Sequence, residues 1–530
     1  MNADVSRDSF QAARHHHRVV MEQGRVLVDA DWNEQSAILL HRLKSLASDL
    51  FGPHWGSRSG EGLDPPTAGA PTMAIDPFAI GYQKKEDGKD EDLTIGTGRY
   101  YVHGIPCENE SDKSSFFDQP DYPILGLKDY HLPDAASTPF LVYLHTWERH
   151  LTPYERSRPR EHRFAGIDPL AQDPALRGLA PTSRTKLVWQ VKVLVGSGTA
   201  QAALIDFGKT DFDDFKAVDD AFRKLLEAVS IVPDPKKPRG GLEVTTRRTA
   251  STPPSGPAPG CASAPESSYV RPENHLYRVE IHAGGPIGEA TFKWSRENGS
   301  ILFPIADLDP PGEMDWRVTL AHLGADDRLG LSVGDWVEPI DDRIALGVSP
   351  RSPLLLVTKI QPAERVVVLR RRKDDPAPSL DLRAGHPLLR RWDFAAPWPD
   401  EKAAAAKAPI HAGQPRRPNL APDRALLIEG EPNASKSFEF SLEDGISVHF
   451  SRGQYRGGDY WLIPARHVTR DVIWPGKFDG GGAFQPEPVP PRDAGHAFAP
   501  LAYFKAGKLS AAEALRRLID PKLLSFLVRR

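Results

Sequence analysis

The sequence contains only two cysteines, Cys107 and Cys261, and they lie in different regions of the chain. A small disulfide-bonded scaffold is excluded at that content, and we interpret both residues as free thiols. Long apolar runs are also lacking, since no stretch approaches the ~20 residues of a membrane-spanning helix. The opening residues have no signal-peptide core. We therefore expect cytoplasmic synthesis, no signal peptide, no membrane span, and release only within a larger particle.

Charge of one sign is not in excess either. The net charge is −4, and the 67 Lys and Arg residues are spread along the chain. A nucleic-acid partner requires a basic patch, so we expect none. Proline and glycine are abundant, with 50 and 43 residues, which is typical of turn-rich β proteins. The length of 530 residues predicts about two to four domains.

The sequence motifs of common enzyme classes are missing. There is no G-x-S-x-G elbow, P-loop, H-E-x-x-H, paired C-x-x-C or dinucleotide fingerprint. Each of these motifs supplies a nucleophile, a phosphate cradle or a metal ligand set at a fixed spacing. We therefore predict that the chain is not an enzyme, and we assign no catalytic residue and no cofactor.

Two groups near the N-terminus resemble parts of metal sites. Asp29, Asp31 and Asn33 occupy the first three ligand positions of a Ca²⁺ loop, but Glu34 replaces the required glycine and the closing glutamate is missing. The adjacent histidines at 15–17 have diverging side chains, so they cannot chelate one ion within one chain. We predict no metal site in a single chain.

The opening fifty residues predict a strand, a tight acidic turn and a helix. Val26–Val28 is a short apolar run, and Asp31 is suited to cap a helix with Glu34 in capping-box position. Gly52 and Pro53 would end that helix. Five residues recur at helical spacing and predict one apolar stripe: Ile38, Leu39, Leu43, Leu46 and Leu50.

Strand patterns dominate the rest of the chain. Leu141–Trp147 is apolar on both faces, as a central strand would be, and residues 187–194 alternate with a period of two. Short strand patterns between 329 and 369 predict a small barrel.

Two further helices are predicted. Residues 211–229 carry an apolar stripe, and Thr210 could cap the helix. Near the end of the chain, Ser510 and Glu513 form a capping-box pattern ahead of further apolar residues.

Together these patterns predict a mainly β (α+β) fold, with several small antiparallel β domains, N-terminal and C-terminal helices and long Pro/Gly-rich arms. The predicted division is 1–56 as an N-terminal strand-turn-helix docking element, 57–230 as a first β-rich domain with one helix, 231–272 as a Pro-rich linker, 273–396 as a second β-rich domain with the small barrel, 397–424 as a Pro/Ala-rich linker, 425–505 as a third β-rich segment, and 506–530 as a C-terminal helix.

Several blocks of the sequence carry a more specific signal than secondary structure. They are Ser6–Phe10 with Val19–Gln35, Leu93–Val102, Asp118–Pro123, Leu141–Leu144 with Trp147–His150, Val188–Val191, Leu276–His282, Phe292–Ser300 and Gly458–Arg466. In these blocks the chain resembles an uncharacterised bacterial family found in gene clusters of contractile, phage-tail-like injection particles.

That resemblance implies a structural, binding role in such a particle, associated with the baseplate or with the spike or fibre. Its partners would be other subunits of the particle, and a homo-oligomer is expected, with a trimer as the first hypothesis. A receptor-binding fibre would be expected to carry a long C-terminal module, which this sequence lacks. The resemblance therefore favours the baseplate over the fibre.

The helix after the acidic turn is the expected docking element. Its flank mixes apolar and charged residues as a protein interface does. The predicted partner-binding residues are Met21, Gln23, Arg25, Asp29, Asp31, Trp32, Leu39 and Leu43.

A carbohydrate-binding or carbohydrate-hydrolysing protein is the alternative hypothesis. Carboxylates lie beside aromatic residues in several places, and glycosidases use a pair of carboxylates with aromatic platforms. Such a protein would take a surface glycan. The candidate carboxylates are Glu148, Asp315, Asp335, Glu338 and Asp459.

Overall fold

A computed structural model shows a β-rich chain. It describes residues 2–58, 76–84, 91–122, 132–133, 138–152, 154, 182–246, 269, 271–310, 312–371, 380, 382, 385–394, 420–431, 434–480, 484–492, 495–505 and 512–519. The mainly β class, built of small antiparallel sheets with few helices, is confirmed.

The chain opens with an extended segment and a long helix. After a short 3-10 turn, η1 (Ala12–Arg14), the helix α1 spans Asp29–Phe51. It begins two residues before the predicted cap Asp31, and Val28 occupies the N-cap position without a side-chain hydrogen bond. The predicted strand at Val26–Val28 is wrong, because no strand pairs with this exposed run. The predicted end at Gly52 is confirmed.

The described residues of the first β-rich region form strands and then two helices. In chain order these are β1 (His54–Ser57), β2 (Ile80–Lys84), β3 (Glu91–Ile95), β4 (Gly98–Val102), β5 (Ile105–Asn109), β6 (Phe140–Leu151), β7 (Arg184–Val195), α2 (Thr199–Phe207) and α3 (Phe215–Ala228).

The second β-rich region is almost entirely strand. Its elements are β8 (Leu242–Thr246), β9 (His275–Ile281), β10 (Thr291–Ser295), β11 (Leu302–Leu308), β12 (Asp315–Leu320), β13 (Trp336–Ile340), α4 (Asp342–Ala345), β14 (Leu355–Gln361), β15 (Val366–Arg370) and β16 (Leu388–Trp392).

The last part of the chain contributes shorter strands. These are β17 (Leu426–Leu427), β18 (Phe440–Ser441), β19 (Ile446–Phe450), β20 (Tyr460–Arg466), β21 (Asp471–Val472), β22 (Gly476–Phe478), β23 (Phe484–Pro486), β24 (Ala497–Phe504), β25 (Ala512–Ala514) and β26 (Leu518–Ile519).

The first region is organised around β6. This strand lies inside the sheet β25-β24-β6-β7, as its two apolar faces predicted. One face packs on the sheet β26-β1-β4-β5, with Val142 and Trp189 in a shared core with Tyr100. The other face packs through Leu141 on α2 and α3. The sheet β25-β24-β6-β7 therefore lies between the sheet β26-β1-β4-β5 on one side and the helices α2 and α3 on the other.

The helices of this region differ in part from their prediction. The helix α3 is capped by Asp214, whose carboxylate accepts the backbone N–H groups of Lys216 and Ala217, rather than by Thr210. The shorter helix α2 was not predicted, and it buries only Leu204 and Phe207.

The second region combines a sheet and a barrel. The five-stranded sheet has the order β17-β10-β9-β20-β21, and β18-β19-β8 forms a smaller sheet beside it. The strands β11-β12-β15-β14-β13-β16 close into a barrel filled by Phe303, Val318, Val357 and Leu369, which confirms the predicted barrel.

The last strands return to both earlier regions. The strands β17 to β21 join the sheets of the second region, whereas β24 pairs with β6 in the first. The predicted C-terminal helix is wrong for the described residues 512–519. There β25 extends the edge of β24, and β26 pairs in parallel with Gly56 and Ser57 of β1. These tertiary pairings outweigh the local helical pattern.

The predicted linkers are only partly described. Within 231–272, the strand β8 packs in the core through Leu242 and Val244, so this portion is not a linker. Proline and glycine nearby obscured its short alternating pattern. Residues 247–268 and 395–419 lie outside the described residues. The domain boundaries themselves stay predictions.

Candidate partner-binding surface

The first residues of the chain are held on the second region. The side chain of Asn298 donates to the carbonyl oxygen of Ala3 over 2.8 Å, and Ala3 is buried. Arg466 donates to the carbonyl oxygen of Ser6 over 2.9 Å. Arg492 forms an ion pair with Asp8. The N-terminal segment, defined here as residues 2–19, is therefore docked on the body by contacts from two distant parts of the chain.

The same segment then runs along α1. The backbone N–H of Ser6 donates to Asp29 over 2.8 Å, and the hydroxyl of Ser9 donates to Glu34 over 2.5 Å. A ring nitrogen of His16 lies 2.8 Å from the other oxygen of Glu34. Glu34 thus binds the N-terminal segment and does not close the predicted capping box.

These hydrogen bonds change the acidity of both carboxyl groups. Burial opposes the charged form of Asp29, but the hydrogen bonds from Ser6 outweigh it and lower the pKa of this carboxyl. The hydrogen bonds from Ser9 and His16 lower the pKa of Glu34. Both groups favour the ionised form, which strengthens the attachment of the N-terminal segment to α1.

The opposite end of α1 is fixed to the first region. Lys44 donates to Glu148 over 2.6 Å, and Arg517 donates to the carbonyl oxygen of Phe51 over 3.1 Å. Gly104, at φ +73°, lies against the backbone of Lys44, where a Cβ would collide with the carbonyl oxygen. The helix is therefore fixed by polar and backbone contacts, and within it only Ala30 and Ile38 are buried.

The apolar side chains of this part of the chain face solvent. Eleven large hydrophobic residues between 20 and 50 have exposed fractions of 39% to 86%. We call them the apolar surface: Val20, Met21, Val26, Leu27, Val28, Trp32, Leu39, Leu40, Leu43, Leu46 and Leu50. Single exposed hydrophobic residues are normal, whereas large exposed apolar patches are where proteins bind partners, so we treat the apolar surface as the candidate partner-binding surface.

Comparison with known proteins identifies a family to which the chain is similar. The model of a family of unknown function, DUF6519, matches residues 1–232, 241–414 and 422–508. The chain belongs to the DUF6519 family. No curated protein and no solved structure matches the chain.

The predicted partner-binding residues of this DUF6519 chain lie on or beside the apolar surface. Met21, Trp32, Leu39 and Leu43 belong to it. The other members of the set are Gln23, Arg25 and Asp29, which are exposed, and Asp31, which is half-buried. Among them, Asp29 has a structural partner in Ser6. The four leucines of the predicted stripe are all exposed, whereas its fifth member, Ile38, is buried.

The candidate carboxylates for sugar chemistry have separate partners in the DUF6519 fold. Glu338 and Asp459 are buried, the first paired with Lys293 and the second with Arg239. The other candidates take local roles: Glu148 binds Lys44, Asp335 accepts the backbone N–H of Ser332, and Asp315 is exposed at the start of β12.

A buried ionic network joins the five-stranded sheet to the barrel. Lys293 lies 2.7 Å from Glu338 and 3.4 Å from Glu280, with its Nζ 4.4 Å from the ring centre of Trp392. Burial lowers the pKa of Lys293, whereas the lysine lowers the pKa of Glu338 against the effect of burial. Sequence patterns did not reveal this network, because its members lie on strands from different sheets.

One pocket of about 310 Å³ lies between the N-terminal segment and the second region. Burial and the negative charge of Glu297 raise the pKa of Asp4 there. Within the described ranges, no group of three or more His, Cys, Asp or Glu residues is placed to hold a metal ion. The lining residues are Asp4, Val5, Ser6, Asp29, Asn274, His275, Leu276, Glu297 and Asn298.

No helix in the described part of the DUF6519 chain combines the length and apolar character that a bilayer crossing demands.

Proposed function

We propose that this protein is a structural, binding component of a contractile, phage-tail-like injection particle, associated with its baseplate or with its spike or fibre. The observation that carries the proposal is the apolar surface on a rigidly held helix. Removing such a surface from water is the dominant favourable term in most protein–protein association. The resemblance of the sequence blocks supports the particle as the context.

The chemistry of the surface favours a protein partner. The surface combines exposed leucines with exposed charged residues that adjoin apolar ones in the chain, such as Arg25 beside Val26 and Asp49 beside Leu50, and protein interfaces likewise combine a hydrophobic core with a polar rim. Among the described residues, α1 is attached to the body through the N-terminal segment, Lys44 and Arg517, and none of the eleven side chains of the apolar surface is buried. The partner is another subunit of the particle, and the protein acts there as a homo-oligomer.

Incorporation into particles tests the proposal. The double variant Leu39→Asp/Leu43→Asp is expressed from the native gene cluster, and its content in purified particles is measured by quantitative mass spectrometry. We expect incorporation to be lost. The matched control is Val468→Asp/Phe478→Asp, which places the same charges on exposed apolar residues elsewhere, 90% and 74% exposed. Normal incorporation of the first variant, or absence of the wild-type protein from particles, would refute the proposal.

A further inference from the structure

The exposed leucines of α1 form a regular seam. Leu39, Leu43, Leu46 and Leu50 follow one another at spacings of four, three and four residues, which is the a/d pattern of a coiled coil. We call these four residues the leucine seam. All four are more than half exposed. On a projection of ~100° per residue, Ala30 lies roughly 170° and Lys44 roughly 130° from the centre of the seam. The seam therefore faces away from the body.

Two charged residues on one flank of the leucine seam indicate which surface would be complementary to the seam. Arg42 and Asp49 each directly precede a seam leucine, so both lie on the same flank of the helix, and both are exposed. Neither has an ion-pair partner among the described residues. The other flank carries the uncharged Leu40 and Ala47.

We infer that the leucine seam binds the leucine seam of a second copy of the chain in antiparallel orientation, with Arg42 of each copy facing Asp49 of the other. This inference names the partner of the surface in the proposed function and rests on it. In an antiparallel pair, Leu39 faces Leu50 of the second copy and Leu43 faces its Leu46. The charged flanks then meet each other, and two-fold symmetry forms the Arg42–Asp49 pair twice.

A parallel arrangement lacks this complementarity. In a parallel coiled coil of two or three copies, the charged flank of one helix meets the uncharged flank of the next, so Arg42 would face Ala47. Charge complementarity fixes register and orientation even where its net energy is small. The flank charges therefore select the antiparallel pair over the parallel trimer.

Charge exchange tests the orientation. Arg42→Asp gives a chain with two acidic flank residues, and Asp49→Arg gives a chain with two basic ones. Sedimentation of the purified full chains should show a wild-type dimer and, for each single variant, a dissociation constant raised by about tenfold or more. An equimolar mixture of the two variants should form a heterodimer of near wild-type affinity. The double variant Arg42→Asp/Asp49→Arg should dimerise again.

Other outcomes overturn the inference. If the single variants dimerise like the wild type, or their mixture dissociates as easily as each alone, then the antiparallel pairing is wrong. A monomeric wild type at micromolar concentration excludes the second copy. None of these results changes the incorporation experiment, so the proposed function stands or fails separately.

Discussion

The hydroxyl of Ser9 lies 2.5 Å from the carboxylate of Glu34, 25 residues further along the chain. This contact and those of Ser6 with Asp29 and of Val19 with Gln35 tie the N-terminal segment to the first part of α1, between Asp29 and Gln35. The helix uses its polar side for attachment to its own chain. Its leucines consequently remain available for a partner.

Loss of the Glu34 carboxylate should loosen the N-terminal segment. We predict that Glu34→Ala lowers the free energy of unfolding by about 1–2 kcal/mol, because two hydrogen bonds to a charged group are lost. Hydrogen exchange of residues 6–19 should rise markedly. Glu22→Ala is the control, since the side chain of Glu22 is 74% exposed and lies 3.7 Å from the exposed Arg25. Equal protection of residues 6–19 in both variants would contradict the prediction.

Acid should release the same segment. The pKa values of Asp29 and Glu34 are lowered from 3.8 and 4.5 in the folded chain. Their contribution to stability is therefore present above those ordinary values and is lost as the pH falls through the lowered ones. We predict that protection of residues 6–19 is constant near neutral pH and falls below about pH 4. In Glu34→Ala the pH dependence should be smaller. An unchanged profile would show that other groups control the release.

Removal of the buried lysine should be severe. Lys293→Met leaves Glu338 and Glu280 buried beside an apolar side chain, so we predict a loss of about 3–5 kcal/mol in the free energy of unfolding. The double variant Lys293→Met/Glu338→Gln should lose less than the sum of the single changes. Urea denaturation provides the values. Lys209→Met, at an exposed pair with Asp206, is the control and should change the free energy by less than about 1 kcal/mol. A loss of the same size in both lysine variants would contradict the account.

The strands at the end of the chain should contribute to the core of the first region. Leu515, between β25 and β26, is 1% exposed and packs with Leu141 and the helices α2 and α3. We predict that Leu515→Ala lowers the free energy of unfolding by about 2–5 kcal/mol. Val333→Ala, at a position that is 63% exposed, should have little effect. If Leu515→Ala were equally mild, residues 512–519 would not be packed as described.

Local patterns could predict the strands but not their partners. The period-two alternation of β7 and the two apolar faces of β6 follow from the side chains themselves. The pairing of β6 with β24, however, joins Thr146 to Ala497, and no local signal specifies a neighbour that distant. The prediction of a helix failed at residues 512–519 for the same reason. The strands β25 and β26 form there because β24 and β1 offer edges with which they pair.

The candidate surface could be predicted in composition but not in orientation. Helical spacing places Ile38 close to the leucines, yet Ile38 is 1% exposed and Leu43 is 62% exposed. The side that faces the body is decided by hydrogen bonds from Ser6, Ser9 and Val19, and the apolar spacing contains no information about them.

The central claim is that the leucines of α1 serve a partner and not the protein's own core. The most direct measurement is the free energy of unfolding of Leu39→Asp/Leu43→Asp beside that of Ile38→Asp, in protein dilute enough to prevent association. The account predicts a change of less than about 1 kcal/mol for the double variant and a loss of several kcal/mol for Ile38→Asp, which buries a charge. A double variant destabilised as strongly as Ile38→Asp would contradict it.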